Sequence, residues 1–317
     1  MKTATRKKSK LDSLLDSLAD LNFDAGLTDA TYSNLLSVGL SSKNLPLAAV
    51  AARIALDEHP LTLRGLFYRV VSAGVLPSTD KENYNRLGRV MTTLRDDGII
   101  PFSHLVDNLR STVKPSSWSG LADFADTCRD SYRLDFWARL PDYVHIFCEK
   151  DAIAGVLAPV TRKYDVALSP LRGYTSLSFA AEIATQWNSI GKPISAFYLG
   201  DYDPSGFDLE RDCREKLERY CDHNFHWTRL GVHARDFFEF NLLPLEVKLT
   251  DKRAKAFVQD HGENCAELDA IPAVELRRRV QEAIEHFIPQ EEWARLQAVE
   301  AAERETFETF ISQMQSQ

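Results

Sequence analysis

Three acidic residues follow two apolar runs that the sequence predicts to be β-strands. Glu149 comes directly after the run YVHIFC, and Asp201 and Asp203 follow the run ISAFYL in the segment GDYDPSG. If both runs belong to one parallel sheet, these acids meet at its carboxyl edge, where ligands of such folds bind. Carboxylate oxygens suit Mg²⁺, so we predict that Glu149, Asp201 and Asp203 hold this ion. The competing interpretation is that the aspartates and Pro204 only cap a helix that starts near Gly206.

The elements around these acids predict an α/β domain over residues 141–288. The runs YVHIFC, YDVALS and ISAFYL are short and rich in β-branched and aromatic residues, and a turn and a helical stretch follow each of them. Strands that alternate with helices indicate a Rossmann-like parallel sheet. The acidic tail over 289–317 is predicted to be a C-terminal helix.

The chain ahead of the sheet divides into three parts. Residues 1–45 are predicted to be a basic arm and a short leucine-periodic appendage. Residues 46–112 carry three helical patterns followed by the extended run IIPFSHLV, which indicates a winged helix. Residues 113–140 begin with Ser, Pro and Gly and are predicted to be a linker. The fold class is therefore α/β plus α, with a helical extension.

Composition restricts the class of protein further. The chain has 317 residues, and its net charge of -8 disfavours a protein that coats nucleic acid nonspecifically. Five cysteines form no CxxC pair, which is typical of free thiols in a reducing compartment. No apolar run is long enough for a membrane span, and the start lacks the apolar stretch of a signal peptide. We expect a cytoplasmic protein with no membrane partner.

Two motifs give the acids a family resemblance. CEKDAIAGVL and GDYDPSG resemble the Toprim domain, in which a Glu ends one strand and Asp-x-Asp ends another. Lys150 after the Glu, and Ser205 where many members have a third acid, are similar to the type IIB topoisomerase A subunits: topoisomerase VI A and its meiotic double-strand-break relative. The length is close to that of compact bacterial and mobile-element relatives.

The same family places its nucleophilic tyrosine in an upstream winged helix. The matching run is Arg64-Gly65-Leu66-Phe67-Tyr68, in which Phe67 replaces the usual first tyrosine. Arg64 and Tyr68 are four residues apart and would share one helix face. The guanidinium would bind the scissile phosphate and favour the phenolate, since the ordinary tyrosine pKa is about 10. The competing interpretation is an ordinary aromatic on an amphipathic helix.

The resemblance implies Mg²⁺-dependent cleavage of double-stranded DNA. Tyr68 would form a 5′-phosphotyrosyl link, with Arg64 and Glu149 as the other catalytic residues. The family works as a homodimer, and strand passage would require a separate ATPase subunit of the B type. A DNA-cleaving enzyme of this kind would be associated with the nucleoid.

Two other functions compete with this one. A Toprim nuclease would hydrolyse DNA with water and leave no covalent intermediate. A noncatalytic DNA-binding factor would use the winged helix alone, through Arg86, Arg89 and Arg95.

Other polar residues are weaker candidates. A zinc site lacks a fourth ligand nearby, and its three candidate ligands are Cys221, His223 and His226. His145, inside a predicted strand, is more typical of a core histidine than of an acid or base. Glu267 and Asp269 could support the metal ligands from a second layer, or cap the helix that follows Pro272.

Overall fold

The computed structural model describes residues 9–21, 23, 26–106 and 115–315. In this part of the chain, thirteen α-helices accompany a four-stranded parallel sheet and two small strand pairs. The described residues contain no helix that is both long and apolar enough to cross a membrane. Most of the basic arm lies outside the described residues, as does the segment 107–114.

The N-terminal elements form a helical block with its own core. They are α1 (Lys10–Asp20), α2 (Asp29–Ser37), α3 (Leu45–Asp57), β1 (Leu61–Thr62), α4 (Leu63–Ser72), α5 (Lys81–Asp96) and β2 (Leu105–Val106). Helix α3 consists largely of Ala, Leu, Val and Ile and is buried almost all round, so the other helices pack against it. Leu14, Leu18 and Leu35 join this core, and the predicted appendage is therefore packed against the block.

The three helices predicted for the winged helix are present as α3, α4 and α5. The run predicted to be extended forms a 3₁₀ turn over Phe102–His104 and then β2. Strand β2 pairs with β1 in parallel, with Leu61 opposite Leu105. A wing is an antiparallel hairpin, so this pair does not form one, and the winged helix stays a prediction.

The second block begins within the predicted linker, where residues Leu121–Ser131 form α6. Its sheet and helices follow in the order β3 (Tyr143–Cys148), α7 (Asp151–Lys163), β4 (Ala167–Pro170), α8 (Leu177–Ile190), β5 (Ile194–Leu199), α9 (Pro204–Tyr220) and β6 (His226–Arg229). The remaining elements are α10 (Asp236–Glu239), β7 (Leu245–Glu246), α11 (Ala254–His261), β8 (Asn264–Cys265), α12 (Ala273–Glu285) and α13 (Gln290–Gln315).

The sheet has the strand order β4-β3-β5-β6, and its pairs are all parallel. The α/β class predicted from the alternating pattern is therefore confirmed. Strands β3 and β5 are buried on both faces, which explains their continuous apolar composition. In the central pair, Cys148 lies opposite Leu199, so both chains leave the sheet at the same edge. The predicted C-terminal helix is α13.

The two blocks contact each other directly. Helix α4 packs against a 3₁₀ turn over Leu268–Ala270, and β1 packs against α7. Thr62, the N-cap of α4, accepts a hydrogen bond from the Gly65 N–H at 2.7 Å and donates one to Asp269 Oδ1 at 2.5 Å. A Cβ at Gly65 would lie 3.3 Å from the Asp269 carbonyl oxygen, so glycine permits the close approach. The start of α4 is thereby fixed beside the carboxyl edge of the sheet.

Candidate functional site

Asp203 caps the helix that follows β5, as the competing interpretation predicted. Its Oδ1 accepts a hydrogen bond from the Gly206 N–H at 2.7 Å, and Pro204 occupies the first turn of α9. A Cβ at Gly206 would lie 2.4 Å from the Asp201 carbonyl oxygen, so only glycine fits there. The described residues provide no hydrogen bond to Asp203 Oδ2. Capping therefore uses one carboxylate oxygen and leaves the other for a ligand.

Glu149 and Asp201 are in direct contact at the carboxyl edge. Glu149 Oε2 accepts a hydrogen bond from the Asp201 N–H at 2.9 Å, and Asp201 Oδ1 accepts one from the Leu268 N–H at 2.7 Å. Burial raises the pKa of Glu149 above its usual range. Burial, together with the charge of Glu149, raises the pKa of Asp201 to about 7. Both carboxyl groups therefore hold a proton more readily than exposed acids do.

Lys150 supplies positive charge to this cluster. Its Nζ lies 2.9 Å from Asp201 Oδ2, 3.2 Å from Asp269 Oδ2 and 3.6 Å from Glu267 Oε2. Burial alone would lower the Lys150 pKa, but the charges of these carboxylates outweigh burial and raise it. Sequence reasoning used Lys150 only as part of a family motif. The available signal was a lysine next to an acid at the end of a buried strand.

Arg64 connects the helical block to the same edge. Its Nε donates to Glu267 Oε2 at 2.9 Å, and its Nη2 donates to Glu267 Oε1 at 2.5 Å, a two-point contact. This hydrogen bonding raises the Arg64 pKa further above its ordinary value. Glu267, which the sequence offered as a second-layer residue, is thus the partner of Arg64 and a neighbour of Lys150.

Tyr68 lies one turn after Arg64, as predicted, and is buried. Its side chain belongs to the core of the second block, and the residue is 4% exposed. The Arg64 guanidinium carbon lies 5.7 Å from the centre of the ring. Burial and the charge of Glu267 raise the Tyr68 pKa to about 12, although Arg64 and Lys150 act in the opposite direction. The phenol is therefore close to the charged cluster of its own chain and is protonated at neutral pH.

The donor set can be tested for its fit to Mg²⁺. Within the described ranges, no group of three or more histidine, cysteine, aspartate or glutamate side chains is arranged to hold a metal ion. Asp201 uses its oxygens on Lys150 and Leu268, whereas Glu149 Oε1 and Asp203 Oδ2 have no hydrogen-bond partner among the described residues. Mg²⁺ in phosphate-handling sites usually takes one or two carboxylates and several waters. Glu149 and Asp203 fit that requirement, and Asp201 would join them only if Lys150 moved.

A groove runs along α5 from the acid cluster, which consists of Asp201, Glu267 and Asp269 with their partners Arg64 and Lys150. Its volume is about 680 Å³. The acid end is lined by Arg64, Lys150, Asp201, Glu267 and Asp269, and the other end by residues of α5 and β2. The acid cluster is thus open to a ligand that lies between the two blocks.

Arg229, at the end of β6, donates hydrogen bonds to the backbone of the segment that carries Asp201. Arg229 Nη2 donates to the Gly200 carbonyl oxygen at 3.1 Å and to the Asp201 carbonyl oxygen, and its Nη1 is paired with Glu210. Sequence reasoning missed this residue because the short polar run HWTR was not predicted to be a strand. In the structure this strand alternates exposed and half-buried residues, and its four residues HWTR include a single apolar side chain, which is too weak a pattern to indicate a strand.

Among the weaker candidates, His145 and Arg86 have structural roles. His145 is buried, its Nδ1 accepts a hydrogen bond from Trp187 Nε1 at 3.1 Å, and burial lowers its pKa to about 3. It is a neutral core residue. Arg86 donates to Asn44 and to the Lys43 carbonyl, so it supports the start of α3, and Arg89 is exposed. Cys221, His223 and His226 do not form a metal site among the described residues.

Comparison with protein-family models gave no match for this chain, and comparison with curated proteins gave none either.

Proposed function

We propose that this protein cleaves DNA in a Mg²⁺-dependent reaction in which Tyr68 is the nucleophile. One observation carries the proposal: Arg64, one turn before Tyr68, is bonded at two points to Glu267 at the carboxyl edge that also carries Glu149 and Asp201. A potential nucleophile, a phosphate-binding cation and a set of acids therefore lie in one place. This is the combination that phosphodiester cleavage through a covalent intermediate requires.

The acids and cations have distinct roles in this proposal. Glu149 and Asp203 would hold Mg²⁺ through their free oxygens, and the ion would supply positive charge to the phosphate when bound. Lys150 fixes Asp201 through a 2.9 Å contact and keeps the edge compact. Arg64 would bind a phosphate oxygen, and the phosphate would compete with Glu267 for the Arg64 guanidinium.

The charge of Arg64 favours ionisation of Tyr68, whereas that of Glu267 opposes it. In the proposed reaction the phenol gives up its proton to solvent as its oxygen bonds to phosphorus, the bond from phosphorus to the 3′ oxygen breaks, and that oxygen takes up a proton to become a 3′-hydroxyl. The product carries a 5′-phosphotyrosyl link.

A hydrolytic nuclease is the second candidate, and the burial of Tyr68 favours it. A residue that is 4% exposed and has a raised pKa must move before it can attack a DNA phosphate. Water activated at the same acids would need no such movement. The products differ, because only the tyrosine reaction leaves protein bound to the DNA.

The proposal includes a homodimer and a separate partner subunit. The family that the motifs resemble acts as a homodimer, with the tyrosine of one protomer facing the acids of the other, whereas Tyr68 also lies beside the charged groups of its own protomer. Strand passage would additionally require a separate ATPase subunit.

Incubation of the protein with supercoiled plasmid and Mg²⁺, followed by a denaturing gel with and without proteinase, tests the proposal. We expect linear DNA that enters the gel only after proteinase treatment, and none in EDTA. Tyr68→Phe should abolish the protein-linked product while the protein stays folded, and Asp203→Asn should reduce cleavage. Tyr220→Phe is a matched control, since Tyr220 lies at the end of α9, outside the groove. Adducts at the wild-type level in Tyr68→Phe would remove Tyr68 from the reaction.

A further inference from the structure

Helix α5 presents one face to the groove at the acid cluster. The residues on this face recur at each turn and therefore form a stripe on the helix. They are Tyr84, Gly88, Met91, Thr92 and Arg95. From Tyr84 to Arg95 the helix rises by about 16 Å, at about 1.5 Å per residue. This length corresponds to about five nucleotides of a strand that keeps the duplex spacing of about 3.4 Å.

Gly88 lies in the interior of α5, where glycine weakens a helix relative to alanine. Packing among the described residues does not explain it, because a Cβ at this position would meet only Leu63 Cδ2 there, at 4.0 Å. Its φ angle is not in the left-handed region. The missing side chain instead leaves the helix backbone open to the groove, which allows close approach by a bound chain.

Arg95 lines the far end of the groove, and an exposed aromatic ring beside the groove packs on this arginine. The Arg95 guanidinium carbon is 4.6 Å from the centre of the Phe102 ring, and Phe102 is 61% exposed. Among the described residues, Arg95 Nε is buried without a hydrogen-bond partner, Nη2 donates to the Phe102 carbonyl oxygen at 3.5 Å, and no carboxylate lies at ion-pair distance from this side chain. Arg64 and Lys150, by contrast, are paired with carboxylates. Within the described part of the chain, Arg95 is thus a groove cation without a carboxylate partner.

We propose that a DNA strand lies along this groove and that Phe102, backed by Arg95, is a stacking platform for a nucleobase about five nucleotides from the phosphate at the acid cluster. An exposed aromatic ring with a neighbouring guanidinium is the arrangement on which unpaired or partly unstacked bases stack. Gly88 lets the strand pass close to α5. The inference rests on the proposed function for the identity of the ligand as DNA.

Fluorescent base analogues test the stacking platform in EDTA, where binding is separated from cleavage. Oligonucleotides that carry 2-aminopurine at successive positions are titrated with the full-length protein. We expect quenching confined to one or two neighbouring positions, and its loss in Phe102→Ala with binding weaker by about 5- to 150-fold. Phe102→Trp should retain both. Phe238→Ala is the matched control, because Phe238 is 91% exposed on α10 of the second block, whereas Phe102 packs on Arg95 of the groove.

Substitutions at Gly88 test the path of the strand. Gly88→Leu should weaken DNA binding at least tenfold while the melting temperature stays at or above that of the wild type, because leucine favours the helix. Gly88→Ala, with a smaller side chain, should have an intermediate effect. Binding of Gly88→Leu or Phe102→Ala at wild-type affinity would overturn the inference, and so would failure of the wild type to bind DNA.

The two proposals fail in different ways. If DNA binds with localised quenching but no Mg²⁺-dependent cleavage follows, the cleavage proposal is wrong and the strand path is supported. If the protein cleaves DNA and Phe102→Ala shows unchanged quenching and affinity, the platform is wrong and the cleavage proposal is unaffected.

Discussion

Replacement of Lys150 by methionine tests the electrostatic account of the carboxyl edge. The substitution keeps most of the side-chain length and removes an ammonium group that lies within 3.6 Å of three carboxylates, those of Asp201, Asp269 and Glu267. Loss of one partner of a buried ion pair costs about 3–5 kcal/mol, because the acids stay buried without their counter-charge. For 317 residues at an unfolding entropy of about 2.1 cal/mol/K each, the melting temperature should fall by about 4–8 °C.

Mg²⁺ should reverse part of this loss. In Lys150→Met the acids have no ammonium, so a divalent cation that binds the folded form should stabilise it by about 2.7 kcal/mol at a hundred times its Kd. The assay is thermal unfolding followed by circular dichroism, in EDTA and in saturating Mg²⁺. Lys216→Met is the control, because Lys216 pairs with Asp212 at 2.7 Å on α9 and its loss should not be reversed by Mg²⁺. A Lys150→Met protein that melts at the wild-type temperature in EDTA would refute the reasoning.

Three further predictions follow from the same site. Burial raises the pKa of Asp201 in the folded protein to about 7. The folded protein therefore favours the protonated side chain, and the stabilisation that this gives is full below pH about 4 and is lost as the pH rises towards 7. Asp201→Asn should flatten this part of a pH series of unfolding measurements. Gly206→Ala should lower the free energy of unfolding by about 1–3 kcal/mol in denaturant titrations, since the Cβ would meet the Asp201 carbonyl oxygen at 2.4 Å, whereas Gly39→Ala, which meets nothing within 4 Å among the described residues, should be close to neutral. If tyrosine and acids act across a dimer, a mixture of Tyr68→Phe and Glu149→Ala proteins should cleave DNA that neither cleaves alone, and an inactive mixture in which mixed dimers have formed would contradict action across the dimer.

The sheet could be predicted because its sequence pattern is strong. The runs YVHIFC and ISAFYL match β3 and β5 residue for residue, since buried parallel strands are continuously apolar and end at a turn. The edge strands were harder. Only the end of YDVALS lies in β4, and β6 was missed, because an edge strand is short and half exposed and therefore lacks a distinct apolar run.

The arrangement of the site was less predictable than its residue types. The sequence indicated that Glu149 and Asp201 leave the sheet at one edge, and they do, because their strands are adjacent and parallel. The pairing of Arg64 with Glu267 joins positions about two hundred residues apart, and no local pattern encodes such a contact. The ion pair between Lys150 and Asp201 depends on side-chain conformation in the folded chain, which sequence spacing alone does not determine.

A peptide map of the cleaved complex tests the central claim most directly. The protein is incubated with an oligonucleotide duplex and Mg²⁺, denatured, and digested with trypsin and nuclease before mass spectrometry. Trypsin cuts after Arg64 and Arg69, so we predict a peptide of residues 65–69 that carries a 5′-phosphonucleotide on Tyr68. DNA that is cut with free 5′ phosphates while this peptide is found only unmodified would contradict the tyrosine mechanism.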